Sequence, residues 1–137
     1  MAMNAISTTA RDAMCNALVD LIDSGAGANG TLEIGTTSFA STLAILDFTA
    51  KATGAFDASG SAGGNADGVA TANAISDETS CPATGTATEC RVKDCDGNVL
   101  FEGSAGISST DLILNTASIT IGDTVSISAA TVTMPAA

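Results

Sequence analysis

The side chains best suited to chemistry in this sequence of 137 residues are carboxylates, since it holds fifteen Asp and Glu residues and no His. Without His there is no Ser-His or Cys-His triad, and the commonest metal ligand and general base is missing. We therefore expect the Ser residues to lie on strand faces and loops, and we expect no enzyme activity. A carboxylate pair acting on a polysaccharide stays open, because the spatial pairing of acids cannot be read from a sequence.

One acidic segment has the spacing of the first ligands of a calcium-binding loop. Asp94, Asp96 and Asn98 alternate as in that loop, but the complete motif requires Gly at its sixth position and Glu at its twelfth. Those two positions hold Val99 and Ala105. A hairpin turn is therefore the better interpretation, and no metal site is expected here.

The segment GAGANG at 25–30 matches the letters of a dinucleotide-binding fingerprint. That fingerprint must follow a strand and open a helix. Here the order is inverted, because the segment follows a predicted helix and precedes a predicted strand. We interpret it as a flexible turn and expect no cofactor.

Four cysteines, Cys15, Cys81, Cys90 and Cys95, have spacings that do not match a zinc ribbon. In a reducing cytoplasm we expect reduced thiols, with Cys15 and Cys90 as small core residues. A bond between Cys81 and Cys95, both in predicted turns, is a second hypothesis for oxidising surroundings.

The charge balance limits the classes of partner. A formal net charge of −11 repels phosphate backbones, so neither nucleic acid nor an anionic membrane is an expected partner. The sequence has no apolar run of about 18 residues, and its first residues lack the order of a signal peptide. We expect one domain, made and first folded in the cytoplasm.

The clearest structural pattern is a hairpin around the Asp-Gly pair at 96–97. Asp-Gly is a strong signal for a two-residue type I′ turn, in which both central residues have a positive φ. That turn predicts Val92 opposite Phe101 on the inner face and Arg91 opposite Glu102 on the outer face. A slip of one residue would bury the charged side chains.

A helix is predicted over 8–24, capped by Ser7, Thr8 or Thr9 and ended by a left-handed Gly25. Its apolar residues recur with helical spacing on one stripe that packs against the core or another subunit. The stripe consists of Ala10, Ala13, Met14, Ala17, Leu18, Leu21 and Ile22.

The rest of the chain predicts short strands separated by turns. Expected strands, besides the hairpin, are 31–36, 42–49, 69–75, 111–115, 118–121 and 124–134, the last with a bulge near Ala129 and Ala130. Ile119 and Ile121 are expected to share a face with Val125 and Ile127. Loops are expected over 103–110 and near 50–68, where Phe56 is the large apolar residue. The predicted fold is mainly β: an N-terminal amphipathic helix (1–25) and an antiparallel sandwich or small barrel of about seven to eight strands (26–137).

Four segments together resemble a family of small virion proteins encoded by tailed bacteriophages. These are GVATANAI at 68–75, ATGTAT at 83–88, RVxDxDG at 91–97 and DLILNTxSI at 111–119. Members often begin with a short amphipathic helix, so the resemblance spans most of the chain. This sequence departs from the pattern at Glu89 and Cys90, where two aromatic residues are common, and by its extra cysteines.

The resemblance implies a virion structural protein that decorates or cements the capsid, assembled in the host cytoplasm and located on the capsid surface. Its partner would be the major capsid protein, and self-association, with a trimer favoured, is the default for such a part. A tail, baseplate or fibre component that contacts the host surface is the alternative. The candidate subunit contacts are Met14, Leu18, Leu21, Ile22, Phe39 and Phe56.

Overall fold

The computed structural model describes residues 4–50, 55, 68–127 and 130–135. Within these ranges the chain is mainly β, with one N-terminal helix followed by short strands, so the predicted fold class is confirmed. The helix α1 spans Thr8–Asp20 and continues as a 3-10 turn at Leu21–Asp23. The strands are β1 Thr31–Gly35, β2 Thr42–Asp47, β3 Val69–Thr71, β4 Gly85–Thr86, β5 Glu89–Lys93, β6 Val99–Gly106, β7 Leu112–Ile113, β8 Ser118–Ile119 and β9 Thr131–Thr133.

Helix α1 begins and ends as predicted but buries a different face. The Ser7 hydroxyl accepts a hydrogen bond from the Ala10 N–H (3.2 Å), and Gly25 has a φ of 110°. The core side carries Cys15, Val19 and Ile22, whereas most of the predicted stripe is exposed. Apart from Ile22, the stripe therefore contributes little to the core of this chain, and its packing against another subunit stays a prediction. Three of its seven residues are Ala, which gains little from burial compared with Val or Ile.

A five-stranded sheet in the order β2-β1-β5-β6-β7 forms the larger layer. In its central register, Leu32 lies opposite Val92 and Ile34 lies opposite Cys90. These side chains are buried together with apolar residues of β2 and α1. The inward positions predicted for β1 and for Ala44, Leu46 and Phe48 (the last just beyond β2) are confirmed.

The hairpin β5–β6 has the predicted register but not the predicted turn. Val92 pairs with Phe101 and Arg91 pairs with Glu102. Of the two turn residues, only Gly97 has a positive φ (85°), so the turn is not of type I′. The Gly97 N–H donates to the Asp94 C=O (3.1 Å), and a bulge after Val92 restores the register. This geometry, a tight turn followed by a left-handed glycine, belongs to the next most common hairpin class.

The segment after the hairpin differs most from the predictions. Strand β6 continues to Gly106, where a loop was expected from residue 103. Strand β7 then pairs with β6 in parallel, after a connection of only five residues, 107–111. Parallel neighbours usually need a much longer crossover. The carboxylate of Asp111 stabilises this short connection, because it accepts hydrogen bonds from the N–H and hydroxyl of Ser104 (2.7 and 2.8 Å).

The last strands pair with distant partners rather than with one another. Strand β8 pairs with β4, and β9 pairs with β3 as a two-stranded ribbon against α1. Val125 and Ile127 form single bridges to Glu78 and Leu114. Ile121 is 65% exposed, so the shared face expected for 119–127 was wrong. Of the bulged strand expected over 124–134, the described residues form single bridges at Val125 and Ile127 and the short strand β9.

Three predicted features fall wholly or partly outside the described residues. They are Phe56, most of the loop near 50–68, and residue 129 of the expected bulge. Ala55 is described and is buried in the core.

Candidate functional site

The acidic residues with calcium-like spacing form a hairpin turn. The Asp94 carboxylate accepts hydrogen bonds from the backbone N–H groups of Asp96 and Asn98, both at 2.9 Å. The pKa of Asp94 is lowered, first by the N–H of Asn98 and then by the Asn98 side-chain amide. Across residues 4–50, 55, 68–127 and 130–135, no three Asp, Glu or Cys side chains converge in a way that would hold a metal ion.

All four cysteines are present as thiols, and no disulfide joins Cys81 to Cys95. Cys15 and Cys90 are buried as predicted, and Cys81 is buried as well, although it was expected in a polar turn. Burial raises the pKa of Cys81, and it raises the pKa of Cys90 to about 11. The thiols of Cys81 and Cys90 are therefore protonated at neutral pH and are poor nucleophiles.

An apolar surface on α1 faces away from the core, and we call it the helix surface. It consists of Ala10, Ala13, Met14, Ala17, Leu18 and Leu21. Leu18 is half-buried, and the other members are exposed, with Met14 at 39% and Leu21 at 48%. Three of the candidate contacts, Met14, Leu18 and Leu21, thus lie together on one accessible stripe. Ile22 is 0% exposed, so its place among the candidates was wrong: the turn of helix at Leu21–Asp23 directs it into the core.

The turn of the β5–β6 hairpin fixes the end of α1 and so orients the helix surface. The Asp96 carboxylate accepts a hydrogen bond from the Ala26 N–H (2.8 Å). The Cys95 N–H donates to the Ser24 C=O (2.9 Å), and its thiol donates to the Ile22 C=O (3.4 Å). The helix therefore cannot tilt without breaking contacts to the best-defined hairpin in the sheet.

The outer side of the five-stranded sheet carries an ionic cluster, which we call the charged sheet face: Glu33, Phe39, Arg91 and Lys93. Glu33 accepts from Arg91 Nε (2.6 Å) and from Lys93 Nζ (2.7 Å) and is 7% exposed. The Phe39 ring lies over the Arg91 guanidinium at 4.1 Å, a cation–π geometry. Burial opposes the charged form of Glu33, but hydrogen bonds from Lys93 and Arg91 lower its pKa overall.

Phe39, a candidate contact, is thus already engaged within its own chain. Ser38 and Phe39 both have positive φ values (58° and 49°), which non-glycine residues rarely adopt. This turn places the ring against Gly35, where a Cβ atom would collide with it. Sequence reasoning missed Glu33 as the centre of this cluster. The available signal was a carboxylate inside the apolar run of β1.

None of the helices in the described part of the chain is long and apolar enough to cross a membrane. Comparison with protein-family models, with curated proteins and with solved structures gives no match for this chain.

Proposed function

We propose that this chain is a structural protein of a tailed-bacteriophage virion, which binds the outer lattice of the major capsid protein and stabilises the head. The observation that carries the proposal is the helix surface. Its exposed Met14 and Leu21 are held by a fixed scaffold rather than by a mobile terminus. An ordered apolar stripe in water favours a protein partner, because burying it in a contact releases hydration free energy.

The binding free energy expected from the helix surface is small, which suits a protein that is present in many copies. Burial of the remaining exposed area of Met14 and Leu21 contributes about 1 kcal/mol for each side chain. Such a contribution gives weak binding at one site, and a symmetric oligomer engaging several lattice sites multiplies it. We therefore propose self-association, with a trimer as the favoured state, and a location on the capsid surface.

The chemistry of the described residues agrees with a role in adhesion. The Asp94 carboxylate caps a turn, Glu33 forms ion pairs, and the thiols of Cys81 and Cys90 are protonated at neutral pH. The net charge of −11 disfavours contact with packaged nucleic acid. We accordingly propose no enzyme activity and no cofactor.

A reconstruction of the phage particle tests this proposal. We expect density for this chain on the outside of the head, in copies that follow the lattice symmetry, with α1 toward the major capsid protein. Density confined to the tail, baseplate or fibres would contradict the proposal. So would a head without the chain in particles whose proteins include it.

A further inference from the structure

The ribbon of β3 and β9 has an edge, on β9, that no strand of the described residues covers. Ala72 N–H donates to the Ala130 C=O (2.9 Å), and Met134 N–H donates to the Gly68 C=O (2.8 Å). Because antiparallel pairing alternates, Thr131 and Thr133 direct their backbone groups away from β3. Neither makes a backbone hydrogen bond on that side to another described residue.

An apolar cleft lies beside this edge, between the inner face of the five-stranded sheet and β9. Its volume is about 220 Å³, and Thr131 forms part of its wall. Its apolar lining includes Leu32, Phe48, Val92, Phe101, Leu112 and Val132. An apolar cavity of about 150 Å³ can take up benzene, so this cleft has room for a large aliphatic or aromatic side chain.

Two carboxylates, Asp111 and Glu102, belong to the cleft wall, together with Arg91, the cross-strand neighbour of Glu102. Asp111 belongs to the cleft wall and is exposed, and its Oδ2 would lie 3.1 Å from a Cβ placed on Gly103. Its Oδ2 accepts from Ser104, whereas Oδ1 accepts no hydrogen bond from the described residues. Hydrogen bonds from the backbone and side chain of Ser104 lower the pKa of Asp111, so the group is charged at neutral pH.

We propose that this cleft and the free edge of β9 form a docking site for an extended segment of a partner protein. The segment adds to β9 as a strand, places an aliphatic side chain in the cleft, and carries a Lys or Arg beside it for Asp111. The uncovered edge supplies backbone hydrogen bonds, the cleft accepts alternate side chains, and the carboxylate selects the charge of the neighbour. This site is distinct from the helix surface and does not depend on the proposed role in the virion.

Titration of the full-length, isotope-labelled protein with short blocked peptides, followed by amide NMR, tests the site. The probe is TKLTVKT; TELTVET reverses its charges and TKSTSKT removes its apolar anchors. We expect TKLTVKT to shift the amides of Thr131, Thr133 and Leu112 and to slow hydrogen exchange at the two threonines. We expect TELTVET and TKSTSKT to bind about tenfold more weakly or worse, the effect of losing one good contact.

Two proline variants separate docking from a folding defect. Thr131→Pro removes an outward N–H at the cleft, whereas Thr71→Pro makes the same change at the paired position of β3, on the opposite edge of the ribbon. Proline is tolerated where the N–H faces solvent, so both variants should keep the wild-type pattern of core amide signals. Thr131→Pro should weaken binding of TKLTVKT by about tenfold through loss of the added strand, and Thr71→Pro should bind it like wild type.

Several results would overturn the inference. Equal binding of the three peptides would show that neither the lysines nor the apolar side chains are recognised. Shifts confined to α1 would show that the peptide binds at the helix and not at β9. No shift at millimolar peptide, or equal loss in both proline variants, would remove the site. If the amides of Thr131 and Thr133 become more protected from hydrogen exchange as the protein concentration rises without peptide, the strand that adds to β9 belongs to a second copy of this chain. Shifts of the lining residues by benzene but not by TKLTVKT would reduce the cleft to a cavity for small apolar molecules.

Discussion

The helix surface and the charged sheet face differ in whether their side chains are covered by other parts of the chain. On the charged sheet face, Glu33 forms ion pairs with both Arg91 and Lys93, and Phe39 covers the guanidinium. Nothing comparable covers Met14 or Leu21 within the described chain. The charged sheet face therefore contributes chiefly to folding. The helix surface adds little to folding and is available for a partner. The two regions should respond differently to substitution, with stability lost at one and binding lost at the other.

The largest contrast in stability is expected between two adjacent residues of the helix end. Ile22→Ala removes a fully buried side chain and should destabilise the fold by about 2–5 kcal/mol. Leu21→Ala changes an exposed residue and should stay within about 0.5 kcal/mol of wild type. Urea unfolding followed by circular dichroism measures both. Similar losses in the two variants would mean that the helix lies on the body by a different face.

The next effect concerns the charged sheet face. Arg91→Met leaves the nearly buried Glu33 with Lys93 alone, which should cost about 1–3 kcal/mol. Glu102→Gln alters the exposed cross-strand neighbour of Arg91 and should cost less than about 0.5 kcal/mol. Chemical denaturation of the two proteins gives the difference. If Arg91→Met is no worse than its control, the cluster is not a stabilising element.

A smaller effect is expected where the hairpin holds the helix. Asp96→Ala removes the acceptor for the Ala26 N–H and should cost about 1 kcal/mol. Hydrogen exchange at the amide of Ala26 should become faster, while core amides of β1 keep their protection. Asp77→Ala, at an exposed position outside the helix and strands, is the matched control and should change neither quantity. Unchanged exchange at Ala26 in Asp96→Ala would show that the hydrogen bond between Asp96 and Ala26 does not form in solution.

The smallest expected effect is a change in pH dependence. The pKa of Glu33 lies below its ordinary value of 4.5, so its ion pairs stabilise the fold above that pH. That contribution is lost as the pH falls through the lowered, folded-state pKa, because the carboxylate must then bind a proton. Glu33→Gln should therefore show a shallower loss of stability than wild type on acidification below pH 4.5. Parallel curves would indicate that Glu33 titrates equally in both states.

The parts of this fold that could be predicted were those with two independent local signals. The Val92–Phe101 register followed from strand alternation and from the position of the glycine, and it survived an error in turn type because a bulge compensated for it. Helix α1 was predictable in extent but not in its buried face, since two overlapping stripes both contain Ile22.

Pairings between strands that are distant in the sequence have no comparable local signal. The parallel pairing of β7 depends on hydrogen bonds between Asp111 and Ser104, and the ionic cluster depends on the pairing of β1 with β5. The sequence contains no local pattern that fixes which distant strand becomes a neighbour. Of the candidate contacts, Met14, Leu18 and Leu21 lie on one accessible stripe and stay predictions, whereas Ile22 is buried in the core.

Binding to expanded capsid shells that lack this chain tests most directly the proposed adhesion through the helix surface. The comparison is between wild type, the double variant Met14→Ser/Leu21→Ser, and Ile121→Ser, which alters an apolar residue of greater exposure away from the helix. We expect wild-type occupancy for Ile121→Ser and a loss of about tenfold or more in affinity for the double variant, with unfolding midpoints unchanged. Equal occupancy of the shells by all three proteins would contradict the assignment of the helix surface as the adhesive face.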